Sequence, residues 1–524
     1  MVPYWTPVVG NLFAFIRNPA NLSVDILTAF PYSMPVRIRL GPVKMYIVSG
    51  SDNIVALFRS SRSMSTKPGM LIALKNIFGT PPKTIPFYAA DDSGMNSRPY
   101  PGSKCKPEHR IIYFQQKAAH KHLSGPALLR MADRYMDTLA KQFSRLDLDH
   151  EWVEMPDLYH FLQMQIGRAA VEAMCGEYIL RLNPTLVEDF WAFDRSVGTL
   201  LKGLPRWMCP REYAARDKLL ASVKKWHAFA HQHSDCTKTD ADDADWDPYF
   251  GHKIVKERQK YAMKMDAMDA DACASEDMGL IFAGNTNAVP AAFWFVLEAF
   301  KDQSLLSRLR HEVKSAQMGE LTETRPDIGK LCGGQLLQSV YAETLRLRVA
   351  ILVTRAPEHE DFQLGDYLFP KDKIIALSSR TAAMDETVWN AGSTERPRPL
   401  NEFWSDRFLI YPNDPGSGPL RKSKDTTPSE ENRGGNANPE PRFSMEGLSG
   451  GWIPYGGGQR MCPGRHFAKQ EIIGTFALVS NFFDIELLTP QGCLYEADMK
   501  YFPLGGLPPT QKIPFRLRRR MQNL

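Results

Sequence analysis

Tyr455-Gly456-Gly457-Gly458-Gln459-Arg460-Met461-Cys462-Pro463-Gly464 gathers three successive glycines, an arginine and a cysteine within ten residues. Three consecutive glycines remove side chains where backbone must lie flat against something large, and they allow positive φ where the loop turns. One cysteine follows, with Arg460 two residues before it and Gly464 two after. From Arg465 to Val479 the apolar residues then fall at helical spacing. A thiolate just ahead of a helix N-terminus is stabilised by the helix dipole and by unpaired N–H groups. A lone cysteine in a Gly-rich turn is otherwise a small core residue, so the weight of Cys462 depends on what lies upstream.

A thiolate so placed can act as the single axial ligand of haem iron, with hydrogen bonds to sulfur tuning its potential. The run resembles the haem-thiolate signature of the cytochromes P-450, FxxGxRxCxG, with Tyr455 in place of the first aromatic. Two further segments resemble the family's motifs in the right order. In Tyr341-Ala342-Glu343-Thr344-Leu345-Arg346, inside a helical pattern from Gln335 to Leu347, Glu343 and Arg346 are i,i+3 and share a face. Alone this pair reads equally as a solvated helical salt bridge. Phe403-Trp404-Ser405-Asp406-Arg407-Phe408 resembles the family's "PERF" segment. The resemblance implies that Arg407 joins Glu343 and Arg346 in a buried network behind the cysteine loop, a pairing able to survive burial. It makes these three residues scaffold.

Between them, Arg355 to Leu377 alternates around a turn at Gly365-Asp366 and reads as short strands. Arg355 and Arg460 match positions that bind haem propionates in relatives; a surface arginine is the alternative for Arg355. The segment Leu280 to Phe295 looks like the long helix over the oxygen-binding face. The family pattern there is roughly A-G-x-(D/E)-T. Ala283 and Gly284 fit, but Thr286 stands in the place of the acid and Asn287 in that of the threonine. Pro290 has no N–H for the Thr286 carbonyl, so the helix should kink and leave a polar notch. Asn287 can donate and accept hydrogen bonds and could hold a proton-relay water; a Pro-kinked core helix without chemistry is the alternative. A second departure is that Ile111 and Gln115 occupy the places of a Trp and an Arg beside the haem propionate, with Lys117 or His120 as possible substitutes. The Asn-Pro variant resembles the branch of sterol and bile-acid hydroxylases and prostacyclin synthase, and other features resemble filamentous-fungal natural-product members.

The resemblance covers nearly all 524 residues as one catalytic domain, mainly α with a small β-sheet region. Helical patterns run from Ala127 to Arg145, Leu158 to Leu182, Thr185 to Lys202, Ala214 to Ala230 and Ala262 to Lys301. Lys+Arg 64 against Asp+Glu 59 gives +5, too mild to argue for nucleic acid as a partner. Eight cysteines show neither zinc spacing nor a disulfide framework, which suggests a reducing compartment. Gln232 to Pro248 and residues 412–447 read as polar, mobile surface insertions.

Residues 1–17 look like the proline-rich hinge that follows the membrane anchor of microsomal relatives, the anchor itself being absent from this chain. The apolar start is too short and too broken to span a bilayer. Leu200 to Pro210, with Trp207 between cations, either dips into a bilayer interface or is a buried helix–helix loop.

The resemblance implies a monomeric haem b monooxygenase on the cytosolic face of the endoplasmic reticulum membrane. It would take O2, electrons from an NADPH-cytochrome reductase, and a hydrophobic, polycyclic terpenoid or steroid-like substrate of secondary metabolism. Two alternatives stay open: a haem-thiolate isomerase or dehydratase working on a peroxide or preoxidised substrate without a reductase, and a non-catalytic haem-binding relative.

Overall fold

The computed structural model describes residues 2, 9–18, 22, 25–26, 29–30, 33–316, 326–393, 395–421, 440–490 and 492–521. Eight helices position the site: α1 (Gly125–Ser144), α2 (Leu158–Cys175), α3 (Leu186–Leu200), α4 (Pro210–His233), α5 (Ala270–Asn285), α6 (Ala288–Lys301), α7 (Gln335–Arg348) and α8 (Arg465–Phe482). In α1, Leu128, Met131, Ala132, Tyr135, Met136, Leu139 and Phe143 fall on one face at i, i+3, i+4 spacing and are buried. By contrast α6 is buried on every side from Ala288 to Phe300. A helix apolar all round belongs in the centre of a large core, and α6 packs there against α2, α7 and α8.

Two helical patterns break where the sequence pattern ran on. The pattern from Leu158 stops at Cys175 because Gly176 turns with φ +87 and lies against the Pro248 backbone; a short helix, Tyr178–Leu182, follows. The Ala262 to Lys301 pattern is three pieces. A helix Lys253–Ala262 ends there, Asp269 caps a new helix by accepting from Ala272 N–H at 2.9 Å, and the chain breaks again at Thr286-Asn287. Among the described residues, α5 with α6 is the only helical stretch long and apolar enough to cross a membrane. Its α6 half is enclosed by protein.

The sheet packs beside this helical body. β1 (Val36–Leu40) pairs antiparallel with β2 (Val43–Ile47), and β4 (Ile374–Ser378) runs parallel to β2. β3 (Val349–Pro357) pairs antiparallel with β4 on one edge and with β5 (Leu504–Gly506) on the other. Gly365-Asp366 does form a hairpin turn, between Phe362–Leu364 and Tyr367–Phe369.

The first of the two insertions carries more order than its composition implies. In Gln232 to Pro248, Trp246 donates to the Ala173 carbonyl at 3.1 Å, and Asp247 is paired with Lys256. The ends of the 412–447 segment are tied down by Arg442–Phe443, which pairs with Leu409–Ile410; residues 422–439 lie outside the described part. Residues 3–8 of the hinge-like start also lie outside it, and Leu12–Arg17 is a short helix. All eight cysteines are free.

Candidate active site

The glycine loop has the positive φ expected of it, +69 at Gly456 and +67 at Gly458. Gly457 meets the ring of Phe58, and any Cβ on Gly458 would strike Ser61 Oγ and the Phe58 carbonyl. A short 3-10 turn, Gly458–Arg460, then delivers Cys462 two residues before the cap of α8. Cys462 is the only exposed cysteine of the eight, and it faces a cavity of about 610 Å3. Desolvation raises its thiol pKa, opposed by the N–H groups of Gly464 and Arg465 and by the Arg465 charge.

The same cavity is lined by Glu276, Gly279 and Ala283 of α5 and by Asn287 at the break that follows it. The three α5 residues recur at three- and four-residue steps and so share one helix face. Ala283 is exposed only because that face opens into the cavity. Gly279 and Ala283 keep this part of the wall free of bulk in a cavity that Cys462 also lines.

Arg460 lines the same cavity, half-buried, with Nε donating to the Met64 carbonyl at 2.9 Å. Arg355 is buried behind the glycine loop on β3 and donates to the carbonyls of Thr354 (2.8 Å) and Gly457 (3.2 Å). Neither guanidinium forms an ion pair among the described residues; Glu358, within electrostatic reach of Arg460, is taken by Lys67 at 2.9 Å. Burial, and then the neighbouring Arg460, pulls the Arg355 pKa down to about 10. Two close cations with no carboxylate between them suit an anionic ligand edge. Arg460 lines the cavity and Arg355 does not; with Cys462 and the small residues of α5, the donor set fits a haem that Cys462 would ligate and whose anionic edge Arg460, backed by Arg355, would neutralise.

The break between α5 and α6 divides Thr286 from Asn287. Asn287 Oδ1 accepts from the Gly506 N–H of β5 at 2.7 Å, which fixes the amide orientation and leaves Nδ2 as the remaining donor. Asn287 therefore sits on the cavity wall with only its donor side uncommitted, whereas its sequence suggested a residue free both to donate and to accept. Thr286 turns the other way and gives its hydroxyl to Asp194 Oδ1 on α3. Asp194 is buried, and desolvation pushes its carboxyl up to about 6 against the Thr286 hydrogen bond and the Arg195 charge.

Glu343, Arg346 and Arg407 meet away from the cavity. Arg346 Nε and Nη2 donate to the two Glu343 oxygens at 2.7 and 2.9 Å, and Arg407 Nε shares Oε1 at 2.9 Å, all three side chains being fully buried. The guanidiniums also donate to the carbonyls of Ala383, Leu400 and Asn390. Such satisfaction is what makes a buried ionic cluster tolerable.

Lys117 and His120 are not brought to the site. Both are exposed on the outer face of helix Ile111–His122, whereas Gln115 lines the cavity and donates to Glu276 at 2.8 and 3.0 Å. Three site residues had escaped the sequence reading. Glu276, joined to Arg258 at 2.9 Å, was accessible as the residue two turns before Ala283. Asp194 lies 92 residues from Thr286, and no local pattern predicts that pairing. Glu471 on α8 is buried with neither oxygen hydrogen-bonded among the described residues, and burial alone raises its carboxyl to about 8.

A family profile described as Cytochrome P450 matches residues 179–403. The chain is 38% identical to Cytochrome P450 monooxygenase fsoE of Humicola fuscoatra, covering 99% of this chain and 87% of that protein. It is 25% identical to Cholesterol 7-alpha-monooxygenase of Cricetulus griseus, covering 76% and 73% respectively. In fold it is similar to the retinoic acid-bound cyanobacterial CYP120A1, with a TM-score of 0.62 and 17% identity over 98% of each chain.

Proposed function

This chain belongs to the cytochrome P450 family and is a monooxygenase of it, and on that premise we propose that it inserts one oxygen atom from O2 into a polycyclic terpenoid or steroid-like substrate of a secondary-metabolite pathway. The family binds haem through a thiolate, uses O2 and hydrophobic substrates, and draws electrons from a reductase. For this chain the reading is haem b, held by Cys462 at the iron and by Arg460 and Arg355 at the propionates. When bound, the haem supplies the reductive activation of dioxygen.

The remaining work falls to the chain. Ala283 and Gly279 keep open the cavity that Cys462 lines. Asn287, its Oδ1 tied to Gly506, directs an amide N–H toward the cavity and orients the water that brings protons there. Glu343, Arg346 and Arg407 hold the surrounding loops still. The observation that carries the reading is that Cys462 and the small-residue face of α5 line one cavity.

Two similarities support the substrate class. One relative is named for a sterol, and another is a fungal monooxygenase matching almost the full chain. A place at the cytosolic face of the endoplasmic reticulum membrane, as a monomer receiving electrons from an NADPH-cytochrome reductase, is part of the same proposal. Trp207, 80% exposed beside Met208 and Arg206, supports contact with a membrane surface.

The test is turnover of a terpenoid and steroid panel under 18O2, with NADPH and reductase, after ranking the panel by the spectral shift each compound induces. One labelled oxygen per product is expected. Product formed at full rate without reductant would instead establish the isomerase or dehydratase reading.

A further inference from the structure

Much of the cavity wall is apolar, with Leu74, Phe78, Met131 and Met174 among its side chains. A polar corner interrupts it, built by three elements: Gln115 from helix Ile111–His122, Arg258 from helix Lys253–Ala262 and Glu276 from α5. Polar groups withdrawn from water cost free energy unless each is bonded. The Glu276 carboxylate binds this corner together. Its Oε1 accepts from the buried Tyr88 phenol and from Gln115 Nε2 at 3.0 Å; its Oε2 accepts from Gln115 Nε2 at 2.8 Å and from Arg258 Nη2 at 2.9 Å. Burial and then the Glu276 charge hold the Tyr88 phenol well above its ordinary pKa, so it keeps its proton and donates. Arg258 is also committed to the Glu276 carbonyl at 2.9 Å and to Asp277 Oδ1 at 2.7 Å.

A carboxylate can only accept, which holds the Gln115 amide with its nitrogen toward Glu276. Gln115 Oε1 has no partner among the described residues. What the corner offers to the cavity is therefore an acceptor of fixed direction.

We propose that this corner anchors a hydroxyl group of the substrate, which donates to Gln115 Oε1. This rests on the reading above that the cavity takes a terpenoid or steroid-like compound, and it adds the chemistry of one substituent. Glu276 lies two helical turns, about 10 Å, before Ala283 on α5. The anchor thus sets which part of the carbon skeleton reaches Ala283 and Asn287. A ketone or an ether brings only acceptors and meets an acceptor. An anion meets the Glu276 charge as well, while Arg258 is already paired with two carboxylates. The same reasoning keeps the anionic edge of a haem at Arg460 and away from Gln115, although Gln115 occupies the place of an arginine that serves that edge in relatives.

The experiment uses the haem-loaded full chain and matched probes: a steroid with one hydroxyl, its methyl ether and its ketone, and the same three forms of a polycyclic terpenoid alcohol. Dissociation constants are read from the induced spectral shift, without reductase. Wild type should bind at least one alcohol about 10-fold more tightly than its ether and ketone. Gln115→Leu should weaken that alcohol about 10-fold and leave the ether and ketone within about 2-fold, a split that a merely misshapen cavity would not produce. Turnover of the alcohol by Gln115→Leu, with NADPH and reductase, should spread over more carbons than in wild type. Glu276→Gln can donate, which frees the Gln115 amide to turn its nitrogen to the cavity, and preference should move toward the ketone. The wild-type comparison needs no variant and carries the test if neither variant folds. Ether and ketone bound by wild type as tightly as the alcohol, or an alcohol preference that survives Gln115→Leu, would overturn the proposal and leave the monooxygenase reading standing. Binding of none of the probes would remove the substrate class and the anchor with it. If the preference falls as expected but the product carries no oxygen from 18O2, the anchor is upheld and the monooxygenase reading fails.

Discussion

The backbone N–H of Cys462 donates to the carbonyl of Tyr455 at 3.0 Å. That bond closes the glycine loop on itself. The Tyr455 phenol then meets the Tyr341 phenol at 2.7 Å, two residues before Glu343 on α7. Loop and buried ionic cluster therefore hang from one helix, and damage at the cluster should be felt at the sulfur.

Cys462→Ala should abolish the strongly red-shifted Soret band of the reduced carbon-monoxide complex, because thiolate donates charge through the iron. Cys332→Ala and Cys493→Ala should leave the band in place. A thiolate-type spectrum persisting in Cys462→Ala would remove the ligand assignment.

Glu343→Ala leaves Arg346 and Arg407 buried without their shared anion, a loss that typically costs about 3–5 kcal/mol. The guanidiniums hold the Glu343 pKa down in spite of its burial. Its contribution is therefore present above the unfolded carboxylate value and lost as pH falls through the folded one. Little haem-loaded protein is expected from the variant. Wild-type yield and melting temperature would show that the cluster does not hold the loop.

Glu471 behaves in the opposite sense. Its folded pKa, about 8 against an ordinary 4.5, means that stability is full below pH 4.5 and declines as pH rises toward 8. Glu471→Gln should match wild type in acid and exceed it in melting temperature at pH 8–9, by an amount equivalent to a few kcal/mol (about 1.4 per pKa unit). Thermal melts across pH 4.5–9 decide this; parallel curves would mean that the carboxyl is solvated or paired.

Asn287→Ala strips the acceptor from the Gly506 N–H, at about 1–3 kcal/mol for a buried donor left unpaired. Haem binding and spectrum should survive, while reducing equivalents shift from product to hydrogen peroxide. Asn287→Thr should recover part of the coupling. Product and peroxide per NADPH are the readings, and equal coupling in all three proteins would remove the role of Asn287.

The features that the sequence displayed were those carried by short-range pattern. Gly456 and Gly458 announce positive φ, Pro290 announces a broken helix, and alternation around Gly365-Asp366 announces a hairpin, because each is dictated within a few residues of chain. The partition of Ala262 to Lys301 was hidden, since the apolar period continues through a break set by the Asp269 cap and by Pro290 together. Asp194 was hidden for another reason. A buried acid on a helix that also carries Glu188, Asp189 and Arg195 looks like a surface residue until folding sets Thr286 against it. The commitment of Asn287 to Gly506 depends on a strand 219 residues later, and no local signal encodes such a contact.

That contact has a consequence for how this chain can change. Gly505 lies so close to the Asn287 amide that any side chain there would collide with it, and Gly506 supplies the N–H that the amide requires. Position 505 is thus closed to substitution twice over, by the Asn287 amide and by a backbone φ of +141 that side chains rarely adopt, so a smaller residue at 287 relieves only the first. The helix break and β5 are thereby tied to one another in what they tolerate. Chimaeras that exchange β5 with a relative bearing a different residue at the break should lose coupling although they touch no residue of the cysteine loop.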